Sequence, residues 1–255
     1  MPPPPPPPGL TAPSGYVAFQ NAPTPSGQLQ RVGGLAKWAM IATAMSGLVG
    51  IVSTVLVIPV LDKASGFVDG SVTDDEFNDA YLPSQLLSTL GTVVSLAAGV
   101  FTILWMYRVA ANLRVFSRMT TFAPVFAVVG WMLPPFLYVL PFLILRELWK
   151  ASDPGTPVAD EGWRRRPVTP LLTIWFIVYG IVPAALQAVT AYATVRSLLD
   201  GGVSAANSTR VTAEALDASG WYTVAAGVVT AVAAVIWIMF VKQLTARHVQ
   251  LTGET

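Results

Sequence analysis

Long apolar stretches alternate with short polar segments along the chain, and four of the apolar stretches exceed 20 residues. They cover residues 35–61, 86–107, 171–195 and 221–244. A helix needs about 20 mainly apolar residues to cross the hydrocarbon core of a bilayer, and each of the four stretches is long enough. The pattern therefore predicts an all-α, polytopic helical membrane protein with four spanning helices.

Small residues recur at every fourth position in the first two stretches. Such a stripe lets another helix pack closely. The stripes contain Ala42, Ser46, Gly50 and Thr54 in the first stretch, and Gly91, Ser95 and Gly99 in the second.

A fifth apolar segment, residues 122–145, is long enough to cross a bilayer but contains Pro134, Pro135 and Pro141. Adjacent prolines remove two backbone donors and break a helix. Each half of this segment would be about 15 Å long as a helix, half the thickness of the apolar core. We predict a re-entrant or interfacial hairpin broken at these prolines; the alternative is a fifth span.

The distribution of basic residues favours the hairpin. With four spans, twelve of the fifteen Lys and Arg residues lie on one side of the membrane, and Lys63, Arg196 and Arg210 lie on the other. With five spans the same residues divide seven to eight. Because basic residues concentrate on the cytoplasmic side, we expect four spans with both termini cytoplasmic.

Both ends of the chain are polar, and a helical membrane domain is predicted between them, over residues 35–248. Residues 1–34 contain the proline run Pro2–Pro8 and too few large apolar residues to fold, which predicts a disordered Pro-rich cytoplasmic tail. That tail is either simply solvated or a docking segment for a protein that recognises polyproline. Residues 249–255 form a short C-terminal tail.

Composition argues against several kinds of chemistry. The chain has no cysteine and one histidine, His248, and the span interiors carry no charged side chain. Thiolate metal sites and cysteine nucleophiles are excluded, and a zinc site or a catalytic triad has no support. We therefore expect no enzyme, no catalytic residue, no cofactor, no metal and no nucleic-acid partner.

The loop after the first span is rich in acids. Its sequence DGSVTDDEF resembles half of a calcium loop, but Ser65 and Phe67 stand where the first acidic ligands would be required. Thr73 and Glu76 have instead the spacing of a capping box, which predicts the start of a helix.

Six polar residues are expected close to one membrane interface: Arg108, Asn112, Arg114, Glu147, Ser152 and Asp153. We expect Glu147 to pair with Arg108 or Arg114, and Asn112 to hydrogen-bond the hairpin backbone, because prolines leave carbonyls that need donors near lipid. The alternatives are a polar clamp without ligand, a site for a lipid headgroup or anionic metabolite, and unpaired interfacial charges. The basic cluster Arg164, Arg165 and Arg166 is predicted to fix the topology and to attract anionic lipid.

The central stretch carries two motifs. W-x-x-R-x-x-x-N-x-R begins at Trp105, and E-L-W-K-A-S-D-P covers Glu147–Pro154. Together they resemble the actinobacterial family called domain of unknown function 4328. The chain departs from it at Phe136 and Leu137, where the family usually has a polar residue. The resemblance implies an integral protein of the bacterial cell membrane and implies no known activity.

These observations favour a structural or interaction protein that displays a cytoplasmic polar hairpin and a Pro-rich tail. Its expected partners are membrane lipids and a protein bound to the tail, and the sequence does not define the oligomeric state. The rival is a component of a small-molecule or lipid transporter or channel that uses the broken helix at 122–145.

Overall fold

A computed structural model describes residues 28–132, 139–158, 160–201 and 208–254. Every regular element in these ranges is helical. The elements are α1 (Gly33–Val68), α2 (Asp74–Val115), α3 (Phe126–Val129), α4 (Val139–Ala151), a 3₁₀ turn (Glu161–Arg165), α5 (Pro170–Trp175), a π-helical turn (Phe176–Ile181), α6 (Val182–Gly201) and α7 (Ser208–Thr252).

Four helices of the described chain are long and apolar enough to cross a membrane, which confirms the predicted number. They are α1, α2, α7 and the continuous helix from Pro170 to Arg196. Their most apolar windows have a mean hydropathy of 1.9 to 2.5, yet only 11 to 28% of each window is buried inside the protein. Apolar side chains exposed over such lengths are stable if lipid rather than water surrounds them.

The spanning-length helices extend beyond the predicted apolar stretches. The helix α1 has 36 residues, α2 has 42 and α7 has 45. Thr73 starts α2 with the predicted capping box: its hydroxyl accepts from the backbone N–H of Glu76, whose carboxylate accepts from the N–H of Thr73. A local polar signal therefore starts α2 well before its apolar stretch.

Serine pairs join α1 to α2, which run antiparallel. The hydroxyls of Ser46 and Ser95 lie 2.6 Å apart, and those of Ser53 and Ser88 lie 2.8 Å apart. The predicted stripes therefore meet at Ser46 and Ser95. Gly50 and Gly99 were also expected to lie in close contact with another helix. This was wrong, because a Cβ added at either glycine would meet no described atom within 4 Å.

Small residues also bring α1 against α7, again antiparallel. The contacts recur at intervals of seven residues, which returns them to the same face of each helix after two turns. They join Gly47 to Ala234, Thr54 to Gly227 and Leu61 to Gly220. Because a Cβ at Gly220 or Gly227 would overlap the facing side chain, these glycines permit the close approach.

The segment between α2 and α5 starts and finishes at one end of the helix bundle. The ring of Trp237 on α7 lies 6.3 Å from that of Trp105 near the end of α2, and 4.7 Å from that of Trp175 at the end of α5. At the two ends of the fifth apolar segment, the N–H of Thr121 donates to Glu147 at 2.6 Å. Since the segment therefore returns to the side of the bundle from which it starts, the alternative with a fifth span is wrong.

The prolines of this segment fall in two places. Pro134 and Pro135, the predicted break, lie outside the described residues. Pro141 lies buried as the third residue of α4, and its part in the break stays a prediction. A proline is tolerated there because the first turn of a helix does not use its N–H groups.

Candidate functional site

Six polar side chains gather where the ends of α2, α4 and α7 meet, and we call them the polar cap. They are Asn112, Arg118, Ser152, Asp153, Arg247 and His248. Asn112, Arg118, Ser152 and His248 expose 1% of their surface or less. Burying a polar group is costly unless it is hydrogen-bonded, so the partners of these groups define what the cap does.

Asn112 joins three parts of the chain. Its Oδ1 accepts from the backbone N–H of Gln30, and its Nδ2 donates to the carbonyl of Gln30, both at 2.8 Å. These two bonds fix the orientation of the amide, so the contact from Nδ2 to Nε2 of His248, 3.1 Å, has Asn112 as its donor. The other ring nitrogen of His248, Nδ1, lies 3.1 Å from the hydroxyl of Ser152. The predicted partner of Asn112 was wrong: it binds the segment before α1, not the hairpin backbone.

The segment before α1 has further partners. Arg108 donates to the carbonyl of Arg31 at 2.9 Å. The carboxylate of Glu254 accepts from the backbone N–H groups of Val32 and Gly33 at 2.9 to 3.1 Å. An anion at a helix start satisfies N–H groups that have no partner within the helix. Residues 30–33 are therefore fastened both to Glu254 and to α2.

Asp153 is the carboxylate of the cap and bridges two arginines. Its Oδ2 lies 2.9 Å from Nε of Arg166, and its Oδ1 lies 2.9 Å from an Nη of Arg247. The hydroxyl of Thr156 donates to Oδ2 at 2.8 Å. The guanidinium of Arg247 also lies 4.6 Å from the centre of the Trp149 ring, a cation–π distance. Asp153 thus ties α7 to the segment that leads into α5.

Arg118 closes the end of α4. It donates to the carbonyls of Ala151, Asp153 and Thr156, which lie at and beyond the last residue of the helix. Carbonyls there have no intrahelical donor, so a cation is a suitable cap. Burial lowers the pKa of the Arg118 guanidinium, although the carboxylate of Asp153 acts in the opposite direction.

Glu147 and Arg114 hold the loop after α2 from two sides. Glu147 accepts from the backbone N–H groups of Thr121, at 2.6 Å, and Phe122, at 3.4 Å. Arg114 donates to the carbonyls of Thr120, at 3.1 Å, and Phe122, at 3.4 Å. The expected ion pair of Glu147 with Arg108 or Arg114 is not formed, because the loop backbone lies between the acid and Arg114 and offers N–H groups to Glu147 and carbonyls to Arg114. The Nε of Arg114 is buried and has no hydrogen-bond partner among the described residues.

The basic cluster Arg164–Arg166 does not act as one surface. An Nη of Arg164 donates to the carbonyl of Met119 at 2.9 Å, and Arg166 is the partner of Asp153. Arg165 is exposed and has no hydrogen-bond or ionic partner among the described residues. Only Arg165 of the three is therefore fully available to a group outside the protein.

In the described ranges, no group of three or more His, Asp or Glu side chains is arranged to hold a metal ion. Most polar atoms of the cap are bound to one another and to backbone groups. The exceptions are the buried Nε atoms of Arg118 and Arg247, which have no hydrogen-bond partner among the described residues.

Sequence reasoning missed Arg118, Arg247, His248 and Glu254. A weak signal existed for His248, which extends the buried face of α7 formed by Trp237, Val241 and Leu244 at spacings of three and four. Nothing local marks Glu254, whose partners are over 220 positions away.

Fold and site define a helical protein with four helices of membrane-spanning length and a buried polar cap at one end of the bundle. Residues 69–246 match the family described as Domain of unknown function (DUF4328), and the chain belongs to that family. The match includes the six polar residues predicted near the interface, and it ends two residues before His248. Neither the curated proteins nor the solved structures gave a match to the chain.

Proposed function

We propose that the protein is an integral membrane protein with a structural or interaction role, which fixes its Pro-rich tail at one point on the cytoplasmic membrane surface. One observation carries this proposal: Asn112 binds both backbone groups of Gln30, which lies in the last part of residues 1–34, just before α1. The carboxylate of Glu254 accepts from the N–H groups of Val32 and Gly33, where the chain enters α1. A tail fastened in this way leaves the membrane body at a defined position.

The internal bonding of the polar cap favours this role over chemistry or transport. Ser152 and His248 bind each other, and Asp153 is occupied by two arginines and a threonine. A ligand at the cap would have to replace these bonds, and the bond between the fully buried Ser152 and His248 is costly to leave unmade. The distribution of basic residues supports the cytoplasmic assignment, and the family resemblance supports the plasma membrane.

The tail supplies the chemistry that a partner would recognise. Pro2–Pro8 favours an extended polyproline helix, and proteins with aromatic-lined grooves bind such segments at low entropic cost. Tyr16 follows within the same tail and is a suitable place for a photo-crosslinking amino acid.

The experiment is in-cell crosslinking from position 16 of the full chain at native expression level. We expect a discrete protein adduct that disappears when Pro2–Pro8 are replaced by an equal number of serines. An Asn112→Ala variant should give a weaker adduct, because the exit point of the tail is released. No protein adduct, or an equal adduct with the serine tail, would contradict the proposal.

A further inference from the structure

A groove of about 450 Å³ lies between α4 and the segment that leads into α5, outside the polar cap. Four basic side chains line it and no acidic side chain does: Arg146, Lys150, Arg165 and Arg166. Phe142 and Val168 form apolar parts of its walls. A concave surface on which positive charge is concentrated in this way attracts anions.

Most of the positive charge in the groove is not neutralised by the protein. Arg166 is paired with Asp153. Lys150 donates to the backbone carbonyl of Arg164, and a carbonyl carries no formal charge to neutralise the lysine. Arg146 and Arg165 are exposed, and neither has a hydrogen-bond or ionic partner among the described residues. Two guanidinium groups are therefore available, and guanidinium binds phosphate through paired, charge-assisted hydrogen bonds.

Polarity changes along the groove in the same direction on both walls. Phe142, Arg146 and Lys150 are spaced by four residues, so they follow one face of α4 from an apolar to a basic end. The ring of Phe142 lies 4.6 Å from that of Phe176, whereas Nζ of Lys150 lies 3.0 Å from the carbonyl of Arg164. The apolar end is therefore level with the membrane-spanning helix, and the basic end is level with the 3₁₀ turn.

We propose that this groove binds the phosphate headgroup of an anionic membrane lipid. The phosphate lies between Arg146 and Arg165, and the first part of an acyl chain passes Phe142 towards the bilayer. A free anion would satisfy the basic end alone and leave the apolar end without a partner. The gradient from apolar to basic matches the structure of a lipid at the interface.

This inference rests on the proposed function only in placing the polar cap at the membrane surface, and it does not require a partner for the tail. The two can therefore fail separately, because crosslinking at the tail does not report on lipid binding.

The experiment measures lipids retained by the purified full-length protein in a neutral detergent, by native mass spectrometry. The protein is titrated with phosphatidylglycerol, with zwitterionic phosphatidylcholine and with inorganic phosphate as competitor. We expect one phosphatidylglycerol to bind in preference to phosphatidylcholine. An R146Q/R165Q variant should bind phosphatidylglycerol at least about tenfold more weakly, because two charge-assisted contacts are lost.

A matched control removes two exposed basic side chains from the same end of the bundle but outside the groove, in a K37Q/K242Q variant. This control should bind phosphatidylglycerol as the unmodified protein does. Thermal unfolding of each variant shows whether it remains folded, which is expected because the replaced side chains are exposed.

Three results would overturn the proposal. One is undiminished phosphatidylglycerol binding by the folded R146Q/R165Q variant, and another is an equal loss in the control, which would indicate general attraction to a basic surface. The third is displacement of phosphatidylglycerol by equimolar inorganic phosphate, which would identify a site for the free anion.

Discussion

The side chains of Asn112 and His248 meet with 3.1 Å between Nδ2 and Nε2, although 136 positions separate them in the sequence. Because Nδ2 of Asn112 only donates, Nε2 of His248 accepts, and its Nδ1 is then the protonated nitrogen that donates to Ser152. The contact joins α2, α4 and α7 through one buried chain of hydrogen bonds.

Replacing Asn112 by alanine should destabilise the protein. The backbone groups of Gln30 lose both partners and Nε2 of His248 loses its donor, so we expect the free energy of unfolding to fall by about 2–4 kcal/mol. Thermal unfolding in detergent measures this effect. Gln85, exposed on the same helix, provides the control, and Gln85→Ala should change little. Equal stability of the Asn112→Ala and Gln85→Ala proteins would refute the role of the amide.

Asp153→Asn should lower the free energy of unfolding more than removal of an exposed acid nearby. The substitution leaves Arg166 and Arg247 without the carboxylate that lies 2.9 Å from each, in a site where Asp153 is largely buried. We expect a loss of about 2–4 kcal/mol, because breaking a buried ion pair leaves a charge uncompensated. Glu161→Gln removes an exposed acid 3.6 Å from Arg164 and should have little effect. Chemical denaturation of both variants in one detergent compares them, and similar midpoints would count against the bridge.

Glu147→Gln should loosen the loop after α2 without unfolding the bundle. The amide retains one acceptor oxygen for the N–H of Thr121 or Phe122, and its NH2 group faces the other N–H. We expect hydrogen exchange at these two amides to become about tenfold faster, which corresponds to one lost hydrogen bond of about 1.4 kcal/mol. Exchange in α7 should not change. Unaltered exchange at Thr121 and Phe122 would show that Glu147 does not hold the loop.

Gly227→Ala and Gly50→Ala should have opposite effects. A Cβ at Gly227 would overlap Thr54 on α1, so α1 and α7 must separate or repack, at a cost of about 1–3 kcal/mol. A Cβ at Gly50 meets no described atom within 4 Å, and alanine is the better helix former by about 0.5–1 kcal/mol. Thermal unfolding of the two variants tests the packing, and a stabilising Gly227→Ala substitution would contradict it.

Features with a local cause could be predicted from the sequence. The four helices follow from apolar length, since the bilayer rather than a partner segment solvates them. The capping box of Thr73 and Glu76 needs only three residues of spacing. Sequence motifs also located Asn112 and Asp153, but they did not indicate what either residue binds.

Partners that depend on tertiary structure could not be predicted. Asn112 binds a backbone segment 82 positions earlier, and no side-chain pattern in that segment marks it as a partner. Glu147 and Arg114 have opposite charges, which suggested an ion pair, but the loop backbone between them offers N–H groups to one and carbonyls to the other. Choosing between these outcomes requires the path of the loop, which distant contacts determine.

Single-cysteine labelling tests the topology most directly, because the chain has no native cysteine. Glu161→Cys places an exposed thiol beside the polar cap, and Asp79→Cys places one at the opposite end of the bundle. With a membrane-impermeant maleimide on intact cells, we predict labelling of the Asp79→Cys protein, and labelling of the Glu161→Cys protein only after the cells are permeabilised. Labelling of the Glu161→Cys protein in intact cells would contradict a cytoplasmic polar cap, and labelling of both would contradict a membrane between the two ends.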